Sequence, residues 1–145
     1  MSNVLGKSLA RLLAPRRVAH AHCDIPCGIY DPHAAQLAAN TVATMVQKIQ
    51  GLAPDDHNNL IRMVKVKEDH AEIVKREVVI IWGDYFKPEH LDKYPDLHDQ
   101  TWKILKLASR NKQNIDAQAA QELQAAVDQF ANVFWESKGQ PAPAR

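Results

Sequence analysis

The sequence predicts an all-α protein, an up-down four-helix bundle behind a short N-terminal hook. Three observations predict it. Apolar residues recur at three and four positions through four successive stretches. The connections between them are short and marked by proline, glycine or asparagine. The one strand-like run, Val78-Val79-Ile80-Ile81-Trp82, lies in Lys/Glu-rich helical periodicity with no second strand nearby to pair with.

The first helix is expected from about Pro32 to Gln50, with Asp31 as cap, Pro32 at the first turn and Gly51 as the stop. Its apolar stripe reads Leu37, Thr41, Val42, Met45 and Ile49. The second starts near Pro54-Asp55-Asp56 and runs to about Trp82, burying Leu60, Val64, Ala71, Val74, Val78 and Ile81. The two prolines of YFKPEHLDKYP then predict a structured loop. The third helix spans about Asp96 to Arg110 and buries Leu97, Ile104, Leu105 and Ala108. Residues 111–114 make the turn. A fourth helix covers about Ile115 to Lys138, with Ile115, Ala119, Leu123, Ala126, Phe130 and Val133 inward. The resulting division is a basic leader 1–21, a hook 22–30, a bundle 31–138 and a tail 139–145.

Composition narrows the function. At 145 residues and 16.3 kDa, one compact domain is the expectation. With 46% hydrophobic and 24% charged residues the chain is not a disordered one. No apolar run reaches the ~18–20 residues of a membrane-spanning helix. A net charge of +1 excludes nucleic-acid binding by bulk charge. That net charge is unevenly spread. Residues 1–21 hold Lys7, Arg11, Arg16 and Arg17 and no acid, while the remainder holds 14 basic and 17 acidic residues.

The leader ends in Ala19-His20-Ala21, an A-x-A pattern of the kind peptidases cut after. Its apolar stretch, Leu9 to Ala14, is interrupted by Arg11 and too short for a secretory core. It reads as a removable segment that does not export the protein; a retained N-terminal arm is the other reading. Cys23 and Cys27 follow where the composition changes. A disulfide over so short a loop would add little stability.

The segment His22-Cys23-Asp24-Ile25-Pro26-Cys27-Gly28-Ile29-Tyr30 resembles the nickel-binding hook of the nickel superoxide dismutases. Trp82-Gly83-Asp84-Tyr85-Phe86-Lys87-Pro88-Glu89-His90 and Lys93-Tyr94-Pro95 resemble that family's inter-helix loop, and Phe134-Trp135-Glu136 its last helix. The likeness spans about residues 22 to 138, with the basic leader in the place of the family's propeptide.

The hook residues have a chemistry that fits the resemblance. Cleavage after Ala21 would give His22 a free amine. That amine, the deprotonated amide nitrogen of Cys23 and the Cys23 thiolate close two five-membered rings on a metal. Cys27 returns through the Pro26 turn to supply a second thiolate, and the His22 imidazole reaches an axial position. A square-planar N2S2 set with an optional axial nitrogen suits nickel(II), and nickel(III) when the fifth ligand binds. The resemblance implies one nickel ion per subunit and conversion of two superoxide anions to dioxygen and hydrogen peroxide through a nickel(II)/nickel(III) cycle. His22, Cys23, Cys27 and Tyr30 would carry it. While Ala21 is attached, the first nitrogen is an amide and no amine ligand, so cleavage arms the site. Every ligand loses a proton on binding, so loading weakens at low pH.

Family likeness also assigns Tyr30 and Tyr85 to closing the metal pocket, though packing alone would explain a tyrosine in either place. It sets the Asp24 backbone beside the open side of the metal. Lys87 is the candidate for a local positive field that draws superoxide to a chain otherwise net negative. Histidines 33, 57, 90 and 98 lack ligand spacing and read as surface or loop residues. Met45 and Met63 read as packing. In the family a glutamate and an arginine steady the nickel-binding histidine; the matching positions here are Ala38 and His70, which puts His70 or a water in the orienting role. A histidine there predicts a pH dependence unlike that of a glutamate–arginine pair. The resemblance further implies a dedicated maturation peptidase, a cytoplasmic enzyme and a homohexamer whose neighbouring subunits cover each hook, with no nucleic acid or membrane partner. Two other readings compete: a nickel-binding or delivery protein with the same hook and no turnover, and a structural bundle with Cys23 and Cys27 oxidised to a disulfide.

Overall fold

The computed structural model describes residues 28–143, and its regular structure there is entirely helical. The leader and hook residues 22–27 lie outside the described residues. Helix α1 spans His33–Gln50, α2 His57–Ile80, α3 Pro88–Lys93, α4 Leu97–Gln113 and α5 Ala117–Ser137. The long helices α1, α2, α4 and α5 close a ring in which α1 packs on α2 and α5, and α4 packs on the same two. That is the expected four-helix bundle. Val42, Val46, Val74, Val78, Ile104, Leu123, Val127 and Phe130 fill its centre.

The helix starts follow the sequence closely. Asp31 Oδ1 accepts from the His33 amide at 2.8 Å, but Pro32, expected inside the first turn, is itself the residue that caps α1, since its carbonyl accepts the first helical bond, from the Gln36 amide at 3.1 Å. Asp56 Oδ1 accepts from the Asn59 amide at 3.2 Å, and Asp116 Oδ1 from the Ala119 amide at 3.1 Å. Those two caps start α2 and α5.

Several boundaries and faces differ. The buried face of α1 is Ala35, Ala38, Ala39, Val42, Val46 and Ile49, whereas Leu37, expected inside, is 58% exposed. Alanines carry this face, because small residues let two helices approach closely, and they give a weak apolar signal. Ile115, also expected inside, is exposed in the connection before α5. The segment 85–95, expected as a loop, contains α3. Pro88 fits its first turn, and the His90 ring accepts from the Lys87 amide at 3.0 Å.

The second helix continues past Ile80 as a single π turn, Ile81–Tyr85, in which the Phe86 amide donates to the Ile81 carbonyl at 3.3 Å. Ile81 thereby stays in the core while Trp82 donates from Nε1 to His98 Nδ1 at 2.9 Å.

The expected turn at 111–114 is mostly helix, because α4 runs to Gln113. A buried cation explains this extension. Lys67, on α2 and 1% exposed, donates from Nζ to the carbonyls of Asn111, Lys112 (3.0 Å) and Asn114 (3.1 Å). These are carbonyls that a helix end leaves without intrahelical partners. Asn111, fully buried, ties the same corner by donating from Nδ2 to Leu107 O and Ala119 O at 3.0 and 2.9 Å. Burial pulls the Lys67 ammonium below the ordinary lysine value, and the neighbouring Glu68 opposes that shift.

Candidate metal centre

Ala21, His22, Cys23, Asp24 and Cys27 lie outside the described residues. What the structure shows is the platform onto which the hook leads. Gly28 has φ +74°, a left-handed conformation that other residues adopt only at a cost, and it turns the chain towards Tyr30. Tyr30 is buried at 7% exposure and belongs to the main core cluster. A residue three positions after Cys27 is therefore fixed to the bundle.

The structure brings Tyr30 and Tyr85 together, with ring centroids 5.8 Å apart and planes tilted by 58°. Tyr85 ends the π turn and sits in an aromatic nest. Phe134 lies 4.6 Å from it, Phe86 5.0 Å, and the His90 ring stacks on it at 5.4 Å, 15° from parallel. Its hydroxyl meets Ser137 Oγ at 2.8 Å. Rings packed on several sides leave the phenol little freedom to swing.

The Lys87 side chain is exposed at the N-terminus of α3, beside Phe86. A second lysine, not singled out in the sequence, lies against the tyrosines. Lys138 Nζ sits 5.6 Å from the Tyr85 ring centre, 4.7 Å from Phe134 and 5.6 Å from Trp135, and points at the Tyr30 carbonyl from 3.5 Å. The end of α5 holds it there. Gly139, at φ +66°, donates to Glu136 O at 3.0 Å, and Gln140 donates to Trp135 O at 3.0 Å. That pair of bonds is the Schellman closure of a helix C-terminus, with Lys138 as the capping residue. Lys138 stands four residues after Phe134 and three after Trp135, the helical spacing that lays a lysine over those rings. Phe134, Ser137, Lys138 and His90 are thus site residues the sequence reading missed, and only Lys138 had a spacing signal.

Ala38 and His70 occupy adjacent helices. Ala38 is buried in the core face of α1 at 2% exposure. His70 is half-buried on α2, and its Nδ1 lies 2.8 Å from the Val66 carbonyl. A carbonyl only accepts, so Nδ1 carries the proton there and a neutral His70 ring keeps Nε2 as an acceptor. Such an acceptor is what a metal-bound imidazole's remaining N–H needs.

Among the described residues no group of three or more His, Cys, Asp or Glu side chains is arranged to hold a metal ion. Residues 22–27 lie outside that set. Their imidazole, two thiols and amide nitrogen, with the amine that cleavage after Ala21 would free, would form a donor set that fits a soft-to-borderline ion of square-planar preference. No helix among the described residues is long and apolar enough to cross a membrane.

Comparison with known proteins bears on the same segment. The family model described as nickel-containing superoxide dismutase matches residues 17–138. A superoxide dismutase [Ni] of Streptomyces coelicolor is 40% identical over 130 residues, covering 90% of this chain and 98% of that protein. One of Streptomyces seoulensis is 38% identical over the same length and coverage. The native 1.30 Å structure of a nickel superoxide dismutase superposes with a TM-score of 0.76 at 39% identity, covering 81% of this chain and 99% of that chain.

Proposed function

The chain belongs to the nickel-containing superoxide dismutase family, and from that premise we propose how its own residues perform the dismutation of superoxide. The observation that carries the reading is the family match itself, which takes in the whole hook from His22 to Tyr30 together with all the helices of the bundle. Bound nickel supplies the one-electron exchange by which one superoxide becomes dioxygen and the next hydrogen peroxide.

His22 would hold the ion through its amine and imidazole, Cys23 through its amide nitrogen and thiolate, and Cys27 through its thiolate, one ion per subunit. Asp24 borders the open side. Tyr30 and Tyr85 wall the pocket, and their burial limits what enters beyond a small anion. Lys138 and Lys87 give the approach a positive field on a chain whose residues 22–145 carry an excess of acid. His70 Nε2, left as an acceptor by the Nδ1 contact to Val66 O, would accept from the His22 imidazole and set its orientation.

The amine ligand requires cleavage after Ala21 by a maturation peptidase. The solved nickel enzyme is matched over 99% of its length yet covers 81% of this chain, against 90% for the relatives' sequences; a shorter mature chain would account for that difference. A leader whose apolar stretch is interrupted by Arg11 supports the cytoplasmic location we propose. Leu37, Ile61 and Trp102, each more than half exposed on the single chain, support burial in an oligomer, and a homohexamer is the assembly we propose. A nickel carrier without turnover finds no support, since the relatives are named as dismutases.

Substitution of either cysteine tests the ligand set. Processed Cys23→Ser and Cys27→Ser proteins should each lose nickel and dismutation together; nickel retained at one per chain in both would refute the assignment.

A further inference from the structure

The hydrogen bond between Tyr85 and Ser137 has a direction. Ser137 Oγ lies 2.7 Å from the Phe134 carbonyl oxygen and 2.8 Å from the Tyr85 hydroxyl. A carbonyl can only accept, and two oxygens at 2.7 Å with no proton between them would set lone pair against lone pair. The single serine proton therefore lies towards Phe134. Ser137 can meet Tyr85 only as an acceptor, so the tyrosine donates. A phenol has one proton, and here the fold consumes it.

We infer that Ser137 is a positioning residue that fixes Tyr85 as an acceptor-only wall of the substrate pocket. This rests on the placement of Tyr85 at that pocket. Towards the pocket the phenol offers lone pairs and no proton. Superoxide carries no proton and is recognised by donors, so Tyr85 gives it no hydrogen bond. Water and hydrogen peroxide can donate, and Tyr85 receives them. The selectivity that follows is against a lingering anion at this wall, and the proton that completes hydrogen peroxide does not come from Tyr85. The neighbouring geometry keeps the arrangement in place. His90 stacks on one side of the ring and Phe134 packs on another, so the hydroxyl cannot leave Ser137 without moving them.

Ultraviolet resonance Raman spectroscopy reads the direction of a tyrosine hydrogen bond from the ring doublet, whose intensity ratio is low for a donor and high for an acceptor. The chain has three tyrosines, and subtracting the Tyr85→Phe spectrum isolates one. The full processed protein should give a low ratio that rises in Ser137→Ala and stays low in Ser137→Thr, which restores the hydroxyl. In the nickel-loaded protein the freed Tyr85 proton of Ser137→Ala should bind azide about tenfold more tightly, the scale of one added hydrogen bond to an anion, and Ser137→Thr should not. A high ratio in the unmutated protein overturns the inference, as does azide affinity unmoved by Ser137→Ala. Because the Raman arm needs no metal, a hook that fails to bind nickel would show in the azide arm alone, and the two failures stay distinguishable.

Discussion

Replacing Lys67 by Met removes the ammonium that closes the end of α4 and keeps a side chain of similar length to fill its channel. Three carbonyls then lose their donor: Asn111 O in the interior, and Lys112 O and Asn114 O half-buried. A hydrogen bond to a charged group contributes about 1.5–3 kcal/mol, and an abandoned buried acceptor costs about as much. Removing the ammonium also relieves its own desolvation, which offsets part of the loss. The net expectation is a destabilisation of about 2–4 kcal/mol, or roughly a 10 °C fall in Tm for a domain of this size. Urea unfolding at fixed protein concentration measures it, since assembly would make stability concentration-dependent. The corner lies at the opposite end of α5 from Ser137 and Lys138, so the nickel stoichiometry of the folded fraction should be unchanged. A loss below about 1 kcal/mol would refute the reasoning that three acceptors depend on this one cation.

Three other perturbations follow from the same geometry. Lys138→Glu should lower kcat/KM several-fold at low ionic strength and flatten its decline with added salt; an unchanged kcat/KM would contradict a field set by Lys138 over the tyrosines. His70→Ala should lower turnover at unchanged nickel stoichiometry, and unaltered turnover would remove His70 from the orienting role. The Ala119 amide, aided by Arg110, holds the Asp116 carboxyl below its ordinary value of 3.8. A carboxyl lowered on folding stabilises the protein above that value, and the contribution is lost as the pH falls through the folded value. Asp116→Ala should therefore lower stability at neutral pH and narrow its gap to the unmutated protein in acid, as read by unfolding midpoints across pH.

Helix identity was legible because its signals are local. Asp56 and Asp116 mark starts with a side-chain acceptor, and large apolar residues at helical spacing mark Val74, Val78 and Ile104 as core. The errors lie where the decisive partner is distant in sequence. Nothing near Gln113 announces that Lys67, more than forty residues earlier, caps the helix there and lengthens it. Leu37 was placed inside because it is the larger apolar residue, but the alanines beside it allow the close contact. The pairing of Tyr30 with Tyr85 followed from resemblance, whereas Ser137, His90 and Lys138 reach that pair only through the π turn and the Schellman closure. The π turn has no sequence signature that periodicity detects. The hook is the reverse case: its donor chemistry is written in residues 22–27.

The most direct measurement is superoxide dismutation by nickel-loaded protein that begins at His22, beside an otherwise identical sample that keeps residues 1–21. Activity in the first sample alone, with one nickel per chain, is the result expected if a free His22 amine completes the site. Activity in neither sample, with nickel still bound one per chain to the cleaved form, would contradict the account.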